Sequence, residues 1–271
     1  MLPGAHLPPP SGPTLRLLTL NLGQDPRRRR AAISYLRGRR SVDVIFLQEV
    51  RGDGERGDRP LLIGALGGRY PHSIWSEGPR VAKFQFGLGI MSRFPVSGVR
   101  RIELASGHVT KGVCSQIFVL IGKIRMRRRA VRIATIHLCP PRVPWRDRNL
   151  QEVGVWPGTI RDWLGSVRAY EYARRSQIGL LRLIASGGVE PMILTGDLNT
   201  TSHSLDMAQL LGTMKSAFDE RGFGFTIASG PYKVRVDHGL YTEGLRARSA
   251  AVPDVRVSNH KPLEAVLEFF P

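Results

Sequence analysis

The stretch PMILTGDLNT, residues 191–200, places two polar side chains at the end of a short apolar run. We interpret PMILTGDL (191–198) as a buried strand, because a brief apolar run bounded by turn-forming residues is typical of one. Asp197 and Asn199 are two positions apart, so on an extended segment their side chains point the same way. They can therefore share one ligand, and their carboxylate and amide oxygens favour a hard cation such as Mg²⁺ or Mn²⁺.

The same arrangement recurs along the chain, where other apolar segments that predict strands have a polar residue at or near one end. These segments are residues 15–22, 42–50, 86–96, 112–124, 130–138, 235–242 and 262–270. The polar residues in or beside them are Asn21, Glu49, His137, Asp237 and His260. Strand ends can converge on one rim of a sheet sandwich, so we expect these side chains to meet there.

Helical segments lie between the predicted strands. Asp25 and Pro26 are expected to cap and open a helix over 26–40, and further helices are predicted at about 166–185 and near 203–211. The Pro- and Trp-rich residues 139–158 predict a long loop. Hairpin-paired strands with a few helices favour an α+β sandwich over a doubly wound parallel sheet.

Composition predicts one globular domain at residues 15–271, preceded by a Pro-rich tail at 1–14. The chain is 42% hydrophobic and 23% charged, which argues against disorder, collagen and coiled coil. Cys114 and Cys139 lack the spacing of a zinc site, and a reducing compartment is the default. Without a recognisable secretory signal or an apolar run of membrane-spanning length, we expect a cytoplasmic protein.

Net charge is the unusual quantity in this composition. The 40 basic and 22 acidic residues give +18 at pH 7, and 34 of the basic residues are arginine. A preference for arginine over lysine can follow from a GC-rich genome, but codon bias does not by itself create an excess of positive charge. The excess favours polyanionic partners such as nucleic acid, anionic lipid or phosphorylated substrates.

Seven segments in order resemble the motifs of the endonuclease/exonuclease/phosphatase superfamily. They are LTLNLG, FLQEV, GLGIMSRFPV, ATIHL, ILTGDLNT, RVDHGLYT and VSNHKPLEA, and they run from about Leu15 to the C-terminus. Each motif is weak alone, whereas seven in order make a strong signal. The resemblance implies a four-layer α/β sandwich of two mainly antiparallel sheets flanked by helices.

The resemblance also implies roles for the strand-end residues. Glu49 corresponds to the principal Mg²⁺ ligand, with Asn21 beside it in the metal and phosphate site. Asp197 resembles the residue that orients or deprotonates the attacking water, and its neighbour Asn199 would hold the phosphate or the nucleophile.

Two of the three histidines in the matched motifs would then contact phosphate. His137 would contact a phosphate oxygen, whereas His260 would bind the scissile phosphate, with Asp237 fixing the orientation of its ring. The closing motif departs from the family pattern, because Asn259 stands where Asp is usual. Asn259 keeps an oxygen that can reach a metal or its water, but it loses the negative charge and with it some affinity for Mg²⁺.

These observations favour a divalent-metal-dependent phosphoesterase, most plausibly a phosphodiesterase acting on nucleic acid, with the basic turn Arg127, Arg128 and Arg129 as a substrate contact. One alternative is a phosphatase or phospholipase-type enzyme that acts on lipid-linked or phosphoinositide substrates at a membrane surface. A second alternative is a catalytically weakened binding module, in which Asn259 marks lost activity.

Overall fold

The computed structural model describes residues 9–52, 57–78, 80–81, 84–104, 117–140, 160–219, 221–229 and 232–270. Within these ranges the helices are α1 (Pro26–Gly38), α2 (Asp58–Leu66), α3 (Ile160–Ser186) and α4 (Leu205–Leu211). The strands are β1 (Thr14–Asn21), β2 (Val44–Arg51), β3 (His72–Ser76), β4 (Arg80–Val81), β5 (Phe84–Ser92), β6 (Val96–Glu103), β7 (Phe118–Met126), β8 (Arg129–His137), β9 (Met192–Asp197), β10 (Lys215–Ser216), β11 (Ile227–Ser229), β12 (Tyr232–Val234), β13 (Asp237–Tyr241), β14 (Leu245–Ala251) and β15 (Leu263–Phe269).

Two mainly antiparallel sheets contain most of these strands. The first sheet has the order β14-β15-β1-β2-β5-β3, with β4 paired to β5, and the second has the order β10-β13-β9-β8-β7-β6. Only the β1–β2 and β8–β9 pairs are parallel among the described pairings of these sheets. The short β11 and β12 form a separate antiparallel pair. The predicted mainly antiparallel architecture is confirmed.

Three apolar clusters separate the four layers of the sandwich. The cluster between the sheets joins residues such as Leu17 and Phe46 of the first sheet to Ile133 and Ile193 of the second. A second cluster packs α3 and α4 on the outer face of the second sheet, and a third packs α1 and α2 on the outer face of the first. The four-layer α/β sandwich implied by the resemblance is therefore confirmed.

Strand alternation and register bring polar side chains together at one edge of the sandwich. His137 pairs with Asp197 across β8 and β9, and Asp197 pairs with Asp237 across β9 and β13. All three lie in the same alternating rows as inward-facing core residues, as does Asn21 at the end of β1. We call this edge the polar rim, and we call the opposite edge, which carries the β7–β8 turn, the basic rim.

Elements with a strong apolar pattern agree with the sequence predictions. The helices expected at 26–40, 166–185 and 203–211 are present with shifted ends, and the strand expected at 112–124 is found at Phe118–Met126. Residues 112–116 of that prediction, and nearly all of the predicted 139–158 loop, lie outside the described residues. No helix among the described residues is both long and apolar enough to cross a membrane.

Candidate active site

Glu49 lies at a β-bulge near the end of β2. The β2–β5 register shifts by one residue between Leu47 and Val50, and Glu49 adopts a left-handed backbone conformation with φ of 53°. Ile45, Leu47 and Val50 all belong to the outer cluster beneath α1 and α2. Simple alternation would put Glu49 on that outer face too, so the bulge is what turns its carboxylate to the polar rim.

The Asn21 side chain links Glu49 to Asp197. Its Nδ2 donates to Glu49 Oε1 at 3.1 Å and to Asp197 Oδ2 at 3.0 Å. Its Oδ1 accepts from the backbone N–H of Gly23 at 2.9 Å, which fixes the amide orientation. One neutral amide therefore joins carboxylates from two different sheets.

Glu49 fits the role of a ligand for a hard cation. Its Oε2 is buried and has no hydrogen-bond partner among the described residues. A buried carboxylate oxygen without a donor is costly to keep, and a divalent cation is a partner that would satisfy it. The residues present therefore fit a divalent metal held by Glu49 with Asn21 beside it.

Asp237 and His260 form a buried pair across from Glu49. His260 Nδ1 lies 2.7 Å from Asp237 Oδ2, and the side chains are 6% and 1% exposed. Burial alone would lower the pKa of His260, but the Asp237 carboxylate outweighs it and raises that pKa to about 9. Burial conversely opposes ionisation of Asp237, yet the pKa of Asp237 is lowered because His260 stabilises its charge. His260 is thus a cation at neutral pH with its Nε2 facing the site.

A set of potential metal ligands also exists at Asp197, Asp237 and His260, whose ligand atoms lie within 4.8 Å of one another. The short contact between His260 Nδ1 and Asp237 Oδ2 already occupies one ligand atom of each residue. We therefore interpret these two residues as a charge-stabilised pair, whereas Glu49 has a carboxylate oxygen that fits a metal ion.

Asp197 lies in the middle of the site and is almost fully buried. Its Oδ2 is 3.5 Å from His137 Nε2 and 3.7 Å from His260 Nε2, while its Oδ1 accepts from the backbone N–H of Asn199 at 2.8 Å. Burial and the nearby charge of Asp237 raise the pKa of Asp197. A carboxylate whose proton affinity is raised in this way is suited to accept a proton from water.

Asn199 is the second site residue with left-handed backbone geometry, at φ of 47°. Its Nδ2 donates to the carbonyl of Leu138, directly after β8, at 2.7 Å. The loops after β8 and β9 are thereby tied together, which positions His137 and Asp197 relative to each other. Backbone strain of this kind often accumulates at functional sites.

Comparison with known proteins decides the family. Residues 18–260 match the sequence profile described as the Endonuclease/Exonuclease/phosphatase family, which covers most of the chain. The chain belongs to that family. It is accordingly a hydrolase of phosphoesters, and enzymes of this family generally depend on a divalent metal ion.

Solved structures share the fold of this family member at low sequence identity. An endonuclease/exonuclease/phosphatase family protein from Leptotrichia buccalis C-1013-b is 16% identical, with a TM-score of 0.70 over 94% of this chain and 100% of that one. The human Nocturnin catalytic domain with bound sulfate anion is 18% identical, with a TM-score of 0.67 over 96% of each chain. A mannosyl-6-phosphatase from Bacteroides thetaiotaomicron VPI-5482 is 14% identical, with a TM-score of 0.64 over 94% and 100%. No curated protein matches the chain.

Asn259, where the resemblance leads us to expect Asp, lies at the surface of the site. Its Oδ1 accepts from the Ser258 hydroxyl at 2.9 Å, and the same hydroxyl accepts from the His260 backbone N–H at 3.3 Å. A Cβ atom at Gly23 would lie 2.1 Å from this Oδ1, and the φ of Gly23 is +67°. Glycine at position 23 therefore lets the Asn259 amide approach the loop after β1.

The structure does not bring the Arg127–Arg129 turn to the site. This turn joins β7 to β8 at the basic rim, whereas His137 ends β8 at the polar rim. Eight residue steps separate Arg129 from His137, or roughly 26 Å along an extended strand. Arg28 is nearer instead, because its Nη1 donates to the carbonyl of Ser258 at 2.8 Å beside the closing motif.

Two residues that support the site from behind are not among the site residues predicted from sequence, although sequence reasoning interprets Thr226 as structural. Thr226 is fully buried, and its hydroxyl accepts from the backbone N–H groups of Val236 and Asp237 at 3.1 and 3.2 Å. Gln48 donates to Thr19 and to Thr135, and so connects the two sheets beneath the site. An uncharged side chain inside a strand or loop shows no pattern that separates such a role from ordinary packing.

Proposed function

We propose that this chain is a Mg²⁺- or Mn²⁺-dependent phosphodiesterase that hydrolyses nucleic acid. The observation that carries the proposal is the meeting, at one rim, of a metal-competent carboxylate, a buried carboxylate suited to act as a base and an imidazolium. Glu49, Asp197 and His260 supply these three groups, and Asn21 and Asp237 orient them. Such a set of groups can support phosphoryl transfer through an in-line displacement.

His260 and Asp237 would act on the phosphate. The raised pKa of His260, about 9, keeps the ring protonated, so its Nε2–H can donate to a non-bridging oxygen of the scissile phosphate. Charge that develops on this oxygen in the transition state strengthens the hydrogen bond. Asp237 holds Nδ1 and keeps the ring in one orientation.

Asp197 would act on the nucleophile. Its carboxylate would accept a hydrogen bond from water, orient it for attack on phosphorus and take its proton. The backbone N–H of Asn199 holds one carboxylate oxygen, which leaves the other oxygen toward His137 and His260. His137 and the Asn199 side chain border the space where the phosphate and the water would meet.

Glu49 and Asn21 would hold the divalent ion. When bound there, the ion supplies positive charge that polarises the phosphate and stabilises the charge of the transition state. The buried Oε2 of Glu49 lacks a hydrogen-bond partner among the described residues, as does Oδ1 of Asp237.

A polyanionic substrate is favoured by the charge of the chain. The net charge is +18, and Arg28 lies beside the Ser258–His260 segment with 48% of its side chain exposed. An exposed guanidinium next to the reacting phosphate is placed to contact a neighbouring phosphate of a polynucleotide.

The test is a substrate panel assayed with Mg²⁺ or Mn²⁺ and with excess EDTA. The panel contains plasmid DNA, RNA, bis-p-nitrophenyl phosphate, sphingomyelin, inositol phosphates and a sugar phosphate monoester. We expect metal-dependent cleavage of a polynucleotide and of the small diester. Turnover confined to the monoesters would refute phosphodiesterase activity, and retention on anionic liposomes without binding of DNA at low salt would replace nucleic acid by lipid.

A further inference from the structure

We propose that Arg29 and Asp58 are positioning residues that brace the backbone bulge at Glu49 and thereby set the direction of its carboxylate. The inference rests on the proposed function only in taking Glu49 as the metal ligand. It concerns residues of α1 and α2 on the outer face of the first sheet, away from the reacting groups.

The ion pair contacts the backbone at the bulge and immediately after it. Arg29 Nη2 donates to the carbonyl oxygen of Glu49 at 3.4 Å, a long hydrogen bond. Asp58 Oδ2 accepts from the backbone N–H of Arg51 at 2.7 Å, and Asp58 Oδ1 lies 3.0 Å from Arg29 Nε. Two helices that are distant in sequence thus hold the peptide groups that flank Val50.

The burial of this pair is exceptional for its surroundings. The side chains of Arg29 and Asp58 are 7% and 5% exposed, whereas that of Arg27 in the same helix is 90% exposed. Burial lowers the pKa of Arg29, and the Asp58 carboxylate opposes this shift. Two charges in such a site are costly to desolvate, so their presence calls for a role that an apolar pair would not perform.

The bulge needs a restraint of this kind. Glu49 has a φ of 53°, which is unfavourable for a residue with a side chain and persists where the surrounding structure enforces it. Relaxation toward a regular strand would restore alternation and turn the carboxylate toward the outer face, where Ile45 and Leu47 pack. Fixing the peptide groups on either side of Val50 opposes that relaxation.

A purely structural ion pair between α1 and α2 is the competing explanation. The two explanations differ in what happens when the pair is replaced by apolar residues of similar size. Such replacement of a buried ion pair often preserves or increases stability. It would satisfy a structural role but would leave the bulge without its polar contacts.

The experiment measures Mn²⁺ binding directly, by electron paramagnetic resonance of the free ion, in Arg29→Lys and in the double variant Arg29→Met/Asp58→Leu. Thermal unfolding of each variant is recorded in parallel, and Arg30→Ala, an exposed arginine of the same helix, is the matched control. We expect a folded double variant whose dissociation constant for Mn²⁺ is raised about 10- to 100-fold, the range for loss of groups that orient metal ligands. Arg30→Ala should bind Mn²⁺ as the wild type does.

Two results would overturn the proposal, and they differ in what else they overturn. If the folded double variant has wild-type affinity while Glu49→Gln loses Mn²⁺ binding, the brace is wrong and the metal site stands. If Glu49→Gln binds Mn²⁺ as tightly as the wild type, the metal assignment is wrong as well. If the double variant does not fold, Arg29→Lys tests the proposal by itself. Lysine keeps the positive charge but cannot contact Asp58 and the Glu49 carbonyl at the same time.

Discussion

A carboxylate is buried at each rim of the sandwich, and the two carboxylates have opposite electrostatic surroundings. At the basic rim, Glu268 Oε1 accepts from the backbone N–H groups of Ser11 and Gly12 and from the Ser11 hydroxyl, and its Oε2 accepts from Arg246 and Arg248. At the polar rim, Asp197 lies among a second carboxylate and two histidines, and no arginine or lysine of the described residues forms an ion pair with it. The pKa of Glu268 is lowered to about 2, whereas that of Asp197 is raised.

This difference distinguishes a carboxylate that stabilises the fold, Glu268, from one that is suited to a chemical role, Asp197. A carboxylate with five donors stabilises the fold, and here it joins the start of the chain to β14 and β15. A buried carboxylate held only by amide donors, without an arginine or lysine, costs stability but remains available to water and metal. Proteins commonly accept such local cost only at functional sites, and the predictions below test whether the two rims can be perturbed independently.

The largest expected effect is on activity at the polar rim. Glu49→Gln should keep the fold and lose activity by roughly 10² or more, because a major electrostatic contribution to the transition state is removed. Turnover of bis-p-nitrophenyl phosphate at saturating Mg²⁺ measures this loss, and circular dichroism checks the fold. Near-normal turnover by this variant, or by the wild type in excess EDTA, would contradict the assignment of Glu49.

At the basic rim we expect the opposite result, a loss of stability without a loss of activity. Glu268→Gln should lower the temperature of thermal unfolding by several degrees, because two arginines lose their buried counter-charge. Turnover of the small diester by the folded variant should be unchanged. A change in turnover with no change in unfolding temperature would reverse the roles that we give the two rims.

The pH dependence of stability follows from the same group. The Arg246 hydrogen bond, with those of Gly12 and Ser11, outweighs burial and holds the folded pKa of Glu268 near 2, below the usual 4.5. Its contribution to stability is therefore complete above about pH 4.5 and is lost as pH falls toward 2. The stability gap between wild type and Glu268→Gln should shrink across that window, and a gap that stays constant would contradict the pairing.

A smaller effect is expected at Asn259. Asn259→Asp should lower the Mg²⁺ concentration needed for half-maximal activity severalfold, since an added carboxylate near a cation increases attraction. A metal titration of activity compares this variant with the wild type. An unchanged or higher Mg²⁺ requirement would mean that position 259 does not act on the metal.

The smallest effect distinguishes arginines of the two rims. If the substrate is a polynucleotide, Arg28→Ala should reduce the log-log slope of affinity against salt by roughly 0.7 to 0.9, the value of one lost phosphate contact. Alanine at Arg127, Arg128 and Arg129 tests the sequence-based prediction that this turn also contacts substrate. A reduced slope would place the turn in the binding surface, and an unchanged slope would make it a solvated turn.

The parts of the fold that sequence could predict are those that follow from apolar patterning. Strands such as β1, β2 and β9 are nearly continuous apolar runs, and the polar residues at their ends meet as expected. The outer strands β6 and β14 were missed, because exposed and half-buried residues dilute their apolar pattern.

The geometry at Glu49 lay beyond sequence reasoning for a different reason. One extra residue in β2 changes the face of the sheet to which the Glu49 side chain points. The local sequence FLQEV does not indicate where this extra residue lies. Arg29 could have been found, since it stands three and seven positions before the buried Ala32 and Leu36. Helical periodicity thus singles out one buried arginine within a run of four.

A hydrogen bond from Gln48 links the two sheets and restrains their relative movement near the site. Asn21 and Glu49 belong to the first sheet, whereas His137, Asp197 and Asp237 belong to the second, so the reaction centre is assembled across the seam between layers. Packed layers can shear past each other by small sliding motions. The hydrogen bond from Gln48 to Thr135 crosses that seam beneath the reacting groups, and Gln48 is also bonded to Thr19 of its own sheet, so sliding at this point would break a buried hydrogen bond. The two halves of the centre are thereby kept in register.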